Sequence, residues 1–158
     1  MEADRYQKIA VDYMDIVYRT ALSYCKNQHD AQDIVQNTYV KLLQSELEFE
    51  DDEHIRKWLI RVAVNECKDI WRSFWRKNVS YLDELEQEPE FCQVKNKELF
   101  DEVMKLPPKY SIVVHLYYYE EYSVKEIAGI LGITQTNVQT RLMRARNKLK
   151  EQLKEAWR

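Results

Sequence analysis

Two glycines and three prolines in 158 residues is a shortage that bears directly on fold. Average usage is about 7% and about 5% respectively, and turn-dense sheet folds use both residues at their many reversals. Such folds are disfavoured. Cysteine is thin as well: Cys25, Cys67 and Cys92 are odd in number, widely spaced, and form no Cys-x-x-Cys or Cys/His array. They read as reduced, mostly buried thiols, not as a disulfide framework or a zinc site. His29, His54 and His115 are scattered, and neither a glycine-rich phosphate loop nor a nucleophile in a recognisable motif occurs, so no catalysis, metal or cofactor is expected. Long apolar runs are missing too. No stretch approaches the roughly 20 apolar residues that span a bilayer, and the first residues, with Glu2 and Asp4, lack a secretory signal. The expectation is a cytoplasmic protein with no membrane insertion.

What is present favours helix. Glu, Lys, Gln, Leu and Ala are abundant, and the 45% hydrophobic fraction suffices for packed cores, so an all-helical protein of one domain or two small ones is expected. The net charge of −3 hides a strong division along the chain. Residues 1–53 carry 5 Lys/Arg against 12 Asp/Glu, whereas residues 54–78 carry 7 against 2. Residues 79–103 carry 2 against 8, residues 104–133 balance at 3 each, and residues 134–158 again carry 7 against 2. Two separate basic segments suggest two contacts with a polyanion.

From about Asp4 to Lys26, Ile9, Tyr13, Ile16, Val17, Thr20, Ala21 and Tyr24 recur at helical spacing and predict an amphipathic helix. A second is predicted from about Asp30 to Gln44, with Asp30 and Asp33 in the first turn, where the helix dipole favours anions. Its apolar stripe is Ile34, Val35, Thr38, Tyr39, Leu42 and Leu43. After an acidic loop, Glu46 to Glu53, a long third helix runs from about His54 to Arg76 on Ile55, Leu59, Val62, Ala63, Cys67, Ile70 and Phe74. Residues 78–92 lose the periodicity, hold Pro89 and are strongly acidic, which predicts a linker between domains at 1–77 and 93–158. A helix from about Gln93 to Lys105 must stop at Leu106-Pro107-Pro108, and Pro108 suits the first turn of the next, which reaches about Tyr119.

Ser123-Val-Lys-Glu126 has the form of a capping box, Gly132 can close a helix in the left-handed conformation, and Thr134 can cap a last helix from about Gln135 to Trp157. Two helices joined by such a tight turn are how many proteins set a recognition helix in the major groove. Ala128 supplies the small crossing residue, Gly132 the turn and Val138 the buried aliphatic. Val138, Leu142, Ala145 and Leu149 form the buried stripe, while Thr136, Asn137, Gln139, Thr140, Arg141, Arg144 and Arg146 lie opposite, able to reach base edges and phosphates. A lone basic helix is more often a solvated surface; the cap and the turn argue for recognition. On the third helix Arg61, Asn65, Lys68, Asp69, Arg72 and Arg76 share one face. Trp58, Trp71 and Trp75 beside it either support unpaired bases, at about 1–3 kcal/mol per base, or belong to the core.

Four segments, in order, resemble the extracytoplasmic-function group of bacterial sigma factors. Asp30-Ala-Gln-Asp-Ile-Val-Gln-Asn-Thr-Tyr39 resembles the region-two segment that docks on the clamp helices of the polymerase beta-prime subunit. Trp58-Leu-Ile-Arg-Val-Ala-Val-Asn65, with Asp69 and Arg72, resembles the part that melts and reads the minus-ten element. Leu106-Pro-Pro-Lys-Tyr110 resembles the opening of region four, and Val138-Gln-Thr-Arg-Leu-Met-Arg-Ala-Arg146 its minus-thirty-five recognition helix. The resemblance implies an all-α factor of two helical domains joined by an acidic linker, which directs RNA polymerase core to promoters. By the same resemblance Asp30, Asp33 and Gln36 meet the clamp. Asn65, Asp69 and Arg72 meet the minus-ten element, with Arg61 and Arg76 on phosphates. Gln139, Thr140, Met143 and Arg144 approach the minus-thirty-five bases, with Arg141 and Arg146 on phosphates. Phe49 aligns with the position that captures a flipped-out base; Glu48 and Glu50 flank it where the family often has a basic residue, and a plain hydrophobic tuck is the other reading. Implied partners are polymerase core, through its beta-prime clamp helices and beta flap, promoter DNA, and an anti-sigma factor covering the two domains. The acidic linker suits either a nucleic-acid mimic or a solubilising tether.

Two rivals remain. A helix-turn-helix regulator independent of polymerase would bind DNA tightly by itself and leave the polar face of the third helix unused. A helical adaptor would turn both basic faces toward acidic proteins.

Overall fold

The computed structural model describes residues 3–77 and 97–156, apart from the side chains of residues 71, 73–77, 97, 98 and 156. Every regular element among them is helical, and contacts divide the chain into two units, Met1–Pro89 and Glu90–Arg158.

In the first unit α1 (Ala3–Cys25), α2 (Gln28–Gln44) and α3 (Asp52–Lys77) each pack on the other two. The predicted stripes make this core. Ile16, Val17, Ala21 and Leu22 of α1, Ile34 and Leu42 of α2, and Ile55, Leu59, Ala63 and Cys67 of α3 are buried, and each large aliphatic among them contributes about 1.5–3 kcal/mol. Two hydroxyls caught in the core are satisfied locally, as burial demands. Ser23 Oγ donates to the Thr20 carbonyl at 2.8 Å and Thr38 Oγ1 to that of Ile34 at 2.7 Å. Across the α1–α2 seam the Tyr39 hydroxyl donates to the Ala10 carbonyl at 3.0 Å.

Two helix starts and two apolar stripes differ from expectation. Helix α2 begins before Asp30 because the Asn27 side chain accepts the Asp30 N–H at 3.0 Å, so the acids mark the first turn and not the start. Leu43, expected in the buried stripe, is 53% exposed beside Val40 at 50%; the stripe passes through Leu42, and the next residue is rotated by roughly 100°. In α3, Ile60 and Val64 enter the core while Val62 and Ile70 are only half-buried. Its start moves to Asp52, since the Asp51 carboxylate accepts the His54 N–H at 2.8 Å.

The second unit is built on α7 (Gln135–Ala156), against which α4 (Lys97–Met104), α5 (Pro108–Val114) and α6 (Val124–Leu131) all pack. Val103, Leu106, Tyr110, Val114 and Ala145 form one core cluster, with Leu99 and Leu149 packed against it. Pro108 occupies the first turn of α5, as predicted. The expected linker at 78–92, Cys92 and the first residues of the helix expected from Gln93 lie outside the described residues. Toward Tyr119 the expected α-helix gives way to a π turn, His115–Tyr119. There the Glu120 N–H donates to the His115 carbonyl at 3.1 Å, an i→i+5 bond that brings His115 Nε2 within 3.2 Å of Glu120 Oε1. Both side chains are buried, in agreement with a core reading of His115. The Tyr122 N–H then closes onto the Leu116 carbonyl at 3.0 Å, with Glu121 left-handed at φ 60°.

Candidate nucleic-acid interface

The α6–turn–α7 segment forms from its local signals. Ser123 Oγ accepts the Glu126 N–H at 3.1 Å while Glu126 Oε1 accepts the Ser123 N–H at 3.2 Å, so each satisfies an amide that the helix start would orphan. Gly132 ends α6 at φ 69°, with its N–H and that of Ile133 both on the Ala128 carbonyl. A Cβ built on Gly132 meets nothing within 4 Å, so glycine is needed for its backbone angle and not for space. Thr134 Oγ1 then accepts the Asn137 N–H at 3.1 Å and starts α7.

Val138, Leu142 and Ala145 turn one side of α7 into the core, with exposures of 0%, 2% and 0%. The helical repeat carries Thr136, Asn137, Gln139, Met143, Arg144 and Arg146 to the outside, all exposed, with Thr140 and Arg141 partly so. The arginines are braced. Arg141 Nε donates to the Asn137 side chain at 3.1 Å, and Arg146 Nε to the Tyr118 hydroxyl at 2.6 Å. Burial pushes the Tyr110 hydroxyl up, but Lys109 and a hydrogen bond with Arg144 outweigh it and hold the group below the ordinary tyrosine value. Sequence reasoning missed Tyr110 and Tyr118; aromatics one helical element away from a basic helix were the available signal.

On α3, Arg61, Asn65, Asp69 and Arg72 are exposed and Lys68 is half-buried, all on the side away from Leu59, Ala63 and Cys67. The Arg76 backbone continues the same helix; its side chain, with those of Trp71 and Trp75, lies outside the described residues. Glu66 is turned from this face and pairs with Lys41 of α2. Phe49 is 9% exposed, edge-on to His54 at 5.2 Å and to Trp58 at 5.6 Å between ring centres. The Glu50 N–H donates to His54 Nδ1 at 3.1 Å and folds the acidic loop back over α3. Of the two readings of Phe49, this conformation is the hydrophobic tuck. On α2, Asp33 and Gln36 are exposed and Asp30 half-buried, and Val40 and Leu43 prolong the same outer side with apolar surface.

The unit with the exposed α3 face matches Sigma-70 region 2 over residues 9–77, and the unit with the capped helix pair matches Sigma-70 region 4 over residues 97–149. The chain belongs to the extracytoplasmic-function sigma factors. Among its relatives, RNA polymerase sigma factor SigV of Bacillus subtilis (strain 168) is 32% identical over 146 residues, covering 90% of this chain and 87% of the relative. The ECF RNA polymerase sigma factor SigM of the same organism is 34% identical over 147 residues, covering 87% and 88%. The sigma factor RpoE of Bartonella quintana, solved in complex with the anti-sigma factor NepR, shares the fold at 21% identity. Its TM-score is 0.75, with 96% of this chain and 98% of that one covered. A sigma factor of this group supplies promoter specificity in transcription initiation with RNA polymerase. No helix among the described residues is long and apolar enough to cross a membrane.

Proposed function

We propose that this sigma factor initiates transcription through two DNA contacts, one on each unit, kept on a single promoter by polymerase core. Residues 1–77 form the clamp and minus-ten part, 78–92 the tether, and 93–158 the minus-thirty-five part. Asp30, Asp33 and Gln36 dock on the beta-prime clamp helices, with Val40 and Leu43 adding apolar contact, and the second unit meets the beta flap. Arg61, Asn65, Asp69, Arg72 and Arg76 serve the minus-ten element. Gln139, Thr140, Met143 and Arg144 read the minus-thirty-five bases, with Arg141 and Arg146 on phosphates. Phe49 joins the minus-ten contact by leaving its seat on Trp58. The chain performs no catalysis of its own, acts in the cytoplasm, and is held inactive by an anti-sigma factor.

The observation that carries this reading is the ordered pair of region-two and region-four matches, each of which includes an exposed, basic helix face. A regulator independent of polymerase would use α7 but has no role for the region-two unit. Run-off transcription with core polymerase over a genomic fragment library tests the proposal. Specific starts are expected with the intact chain and are lost with Arg144→Ala; no starts with the intact chain would refute it.

A further inference from the structure

Arg146 is held differently from its neighbours on α7. Besides the 2.6 Å bond from its Nε to the Tyr118 hydroxyl, its guanidinium carbon lies 5.8 Å from the centre of the Tyr117 ring and 5.6 Å from that of Tyr118. The two rings meet edge-on, 4.9 Å apart at 77°, and make a fork in which the arginine sits. Both partners remain accessible: Arg146 is exposed and Tyr118 is 51% exposed.

The fork owes its place to the π turn. Tyr117 and Tyr118 lie within the turn, whose i→i+5 register aims them differently from a continuous α-helix. The turn is fixed from within by the buried His115–Glu120 pair, and His115 also stacks on Tyr119 at 5.9 Å and 23°. A long arginine side chain gives up rotamer freedom when it grips a phosphate, and one already held gives up less. With Nε occupied by the phenol oxygen, the two terminal amino groups remain as a planar pair of donors, the arrangement that suits an oxyanion.

We propose that Tyr118, seated by this π turn, is a positioning residue that holds Arg146 for a DNA phosphate beside the bases read by α7. The inference rests on the reading of α7 as the minus-thirty-five helix. It adds a residue outside the helix-turn-helix to the determinants of promoter affinity.

The test is a double-mutant cycle on the full chain assembled with core polymerase. Binding of a labelled promoter fragment is measured across a salt series, and thermal unfolding is recorded for every variant. Tyr118→Phe keeps the ring and removes the oxygen. Arg146→Ala is expected to weaken binding by roughly tenfold and to reduce the slope of log affinity against log salt by about one. Tyr118→Phe is expected to weaken binding by about threefold to tenfold in the parent, to add nothing in the Arg146→Ala background, and to leave the melting temperature unchanged. Equal losses from Tyr118→Phe in both backgrounds overturn the proposal and make the contact structural. Parent-like binding by Arg146→Ala overturns it as well. If the parent forms no promoter complex with core polymerase, the underlying reading of α7 has failed, an outcome visible before any variant is compared.

Discussion

Lys26 ends α1 with its backbone left-handed at φ 58° and its side chain 8% exposed. Burial pulls its ammonium from the ordinary 10.5 down to about 7. Between those values the unfolded chain binds a proton that the folded chain does not, so stability rises as pH climbs from about 7 toward 10.5. Each unit of pKa difference is worth about 1.4 kcal/mol. Lys26→Met is therefore expected to stabilise the first unit at pH 7 by at least about 1 kcal/mol and to flatten the rise, as read from urea unfolding at pH 7 and pH 9.5. An identical rise in parent and variant would contradict this. Glu121 has the same backbone problem at φ 60° without the burial. A left-handed L-residue costs roughly 1–2 kcal/mol and an ordered glycine roughly 0.5–1, so Glu121→Gly is expected to raise stability by about 0.5–1 kcal/mol in thermal melts. The scarcity of glycine thus has a consequence at two helix ends: of three left-handed positions among the described residues, one has the residue best suited to it.

For the helices, legibility follows the range of the forces that fix them. The α6–α7 pair is written in neighbouring residues, and Ser123, Glu126, Gly132 and Thr134 each act within four positions of themselves. Ser123→Ala is accordingly expected to cost about 1 kcal/mol and, in a unit of this size, to lower its melting temperature by roughly 4–8 °C, followed by circular dichroism. A shift below about 1 °C would show that the capping box contributes nothing. The long α3 is equally readable, because a 26-residue helix with opposed polar and apolar stripes has no competing assignment. The π turn was not readable. Its widened register depends on His115 meeting Glu120 in the core and on Tyr117 and Tyr118 meeting Arg146 of another helix, none of which spacing reveals. Leu43 failed for a related reason: adjacent leucines satisfy an apolar pattern equally well, and the packing of α2 on α1 and α3 chose Leu42. Of the candidate contacts, the exposed faces of α3 and α7 followed from periodicity. The seat of Phe49 on Trp58 and the tyrosines that brace Arg144 and Arg146 required the third dimension.

Across the whole chain the charge alternates in blocks: residues 54–78 and 134–158 each carry 7 Lys/Arg against 2 Asp/Glu, and the stretches before them are acidic or balanced. The acidic blocks 1–53 and 79–103 flank the first basic segment and weaken its attraction to free DNA, and two modest contacts gain avidity only when something fixes their spacing. Polymerase core is the partner that would do so, and the arrangement makes a quantitative prediction about Arg72 and Arg144, which stand in different units. With core polymerase bound, Arg72→Ala and Arg144→Ala should each weaken promoter binding. Because the sites share no partner among the described contacts, the fold-losses should multiply in the double variant, matching the sum of the separate free energies to within roughly 0.5 kcal/mol. Without polymerase the parent should bind the same fragment weakly, and neither substitution should separate specific from random DNA. A factor acting through α7 alone would behave otherwise: Arg144→Ala would abolish specific binding with or without polymerase, and Arg72→Ala would change nothing. Filter binding of the four proteins to promoter and scrambled fragments, with and without core, separates these outcomes, because only a two-contact factor makes the effect of Arg72 depend on polymerase.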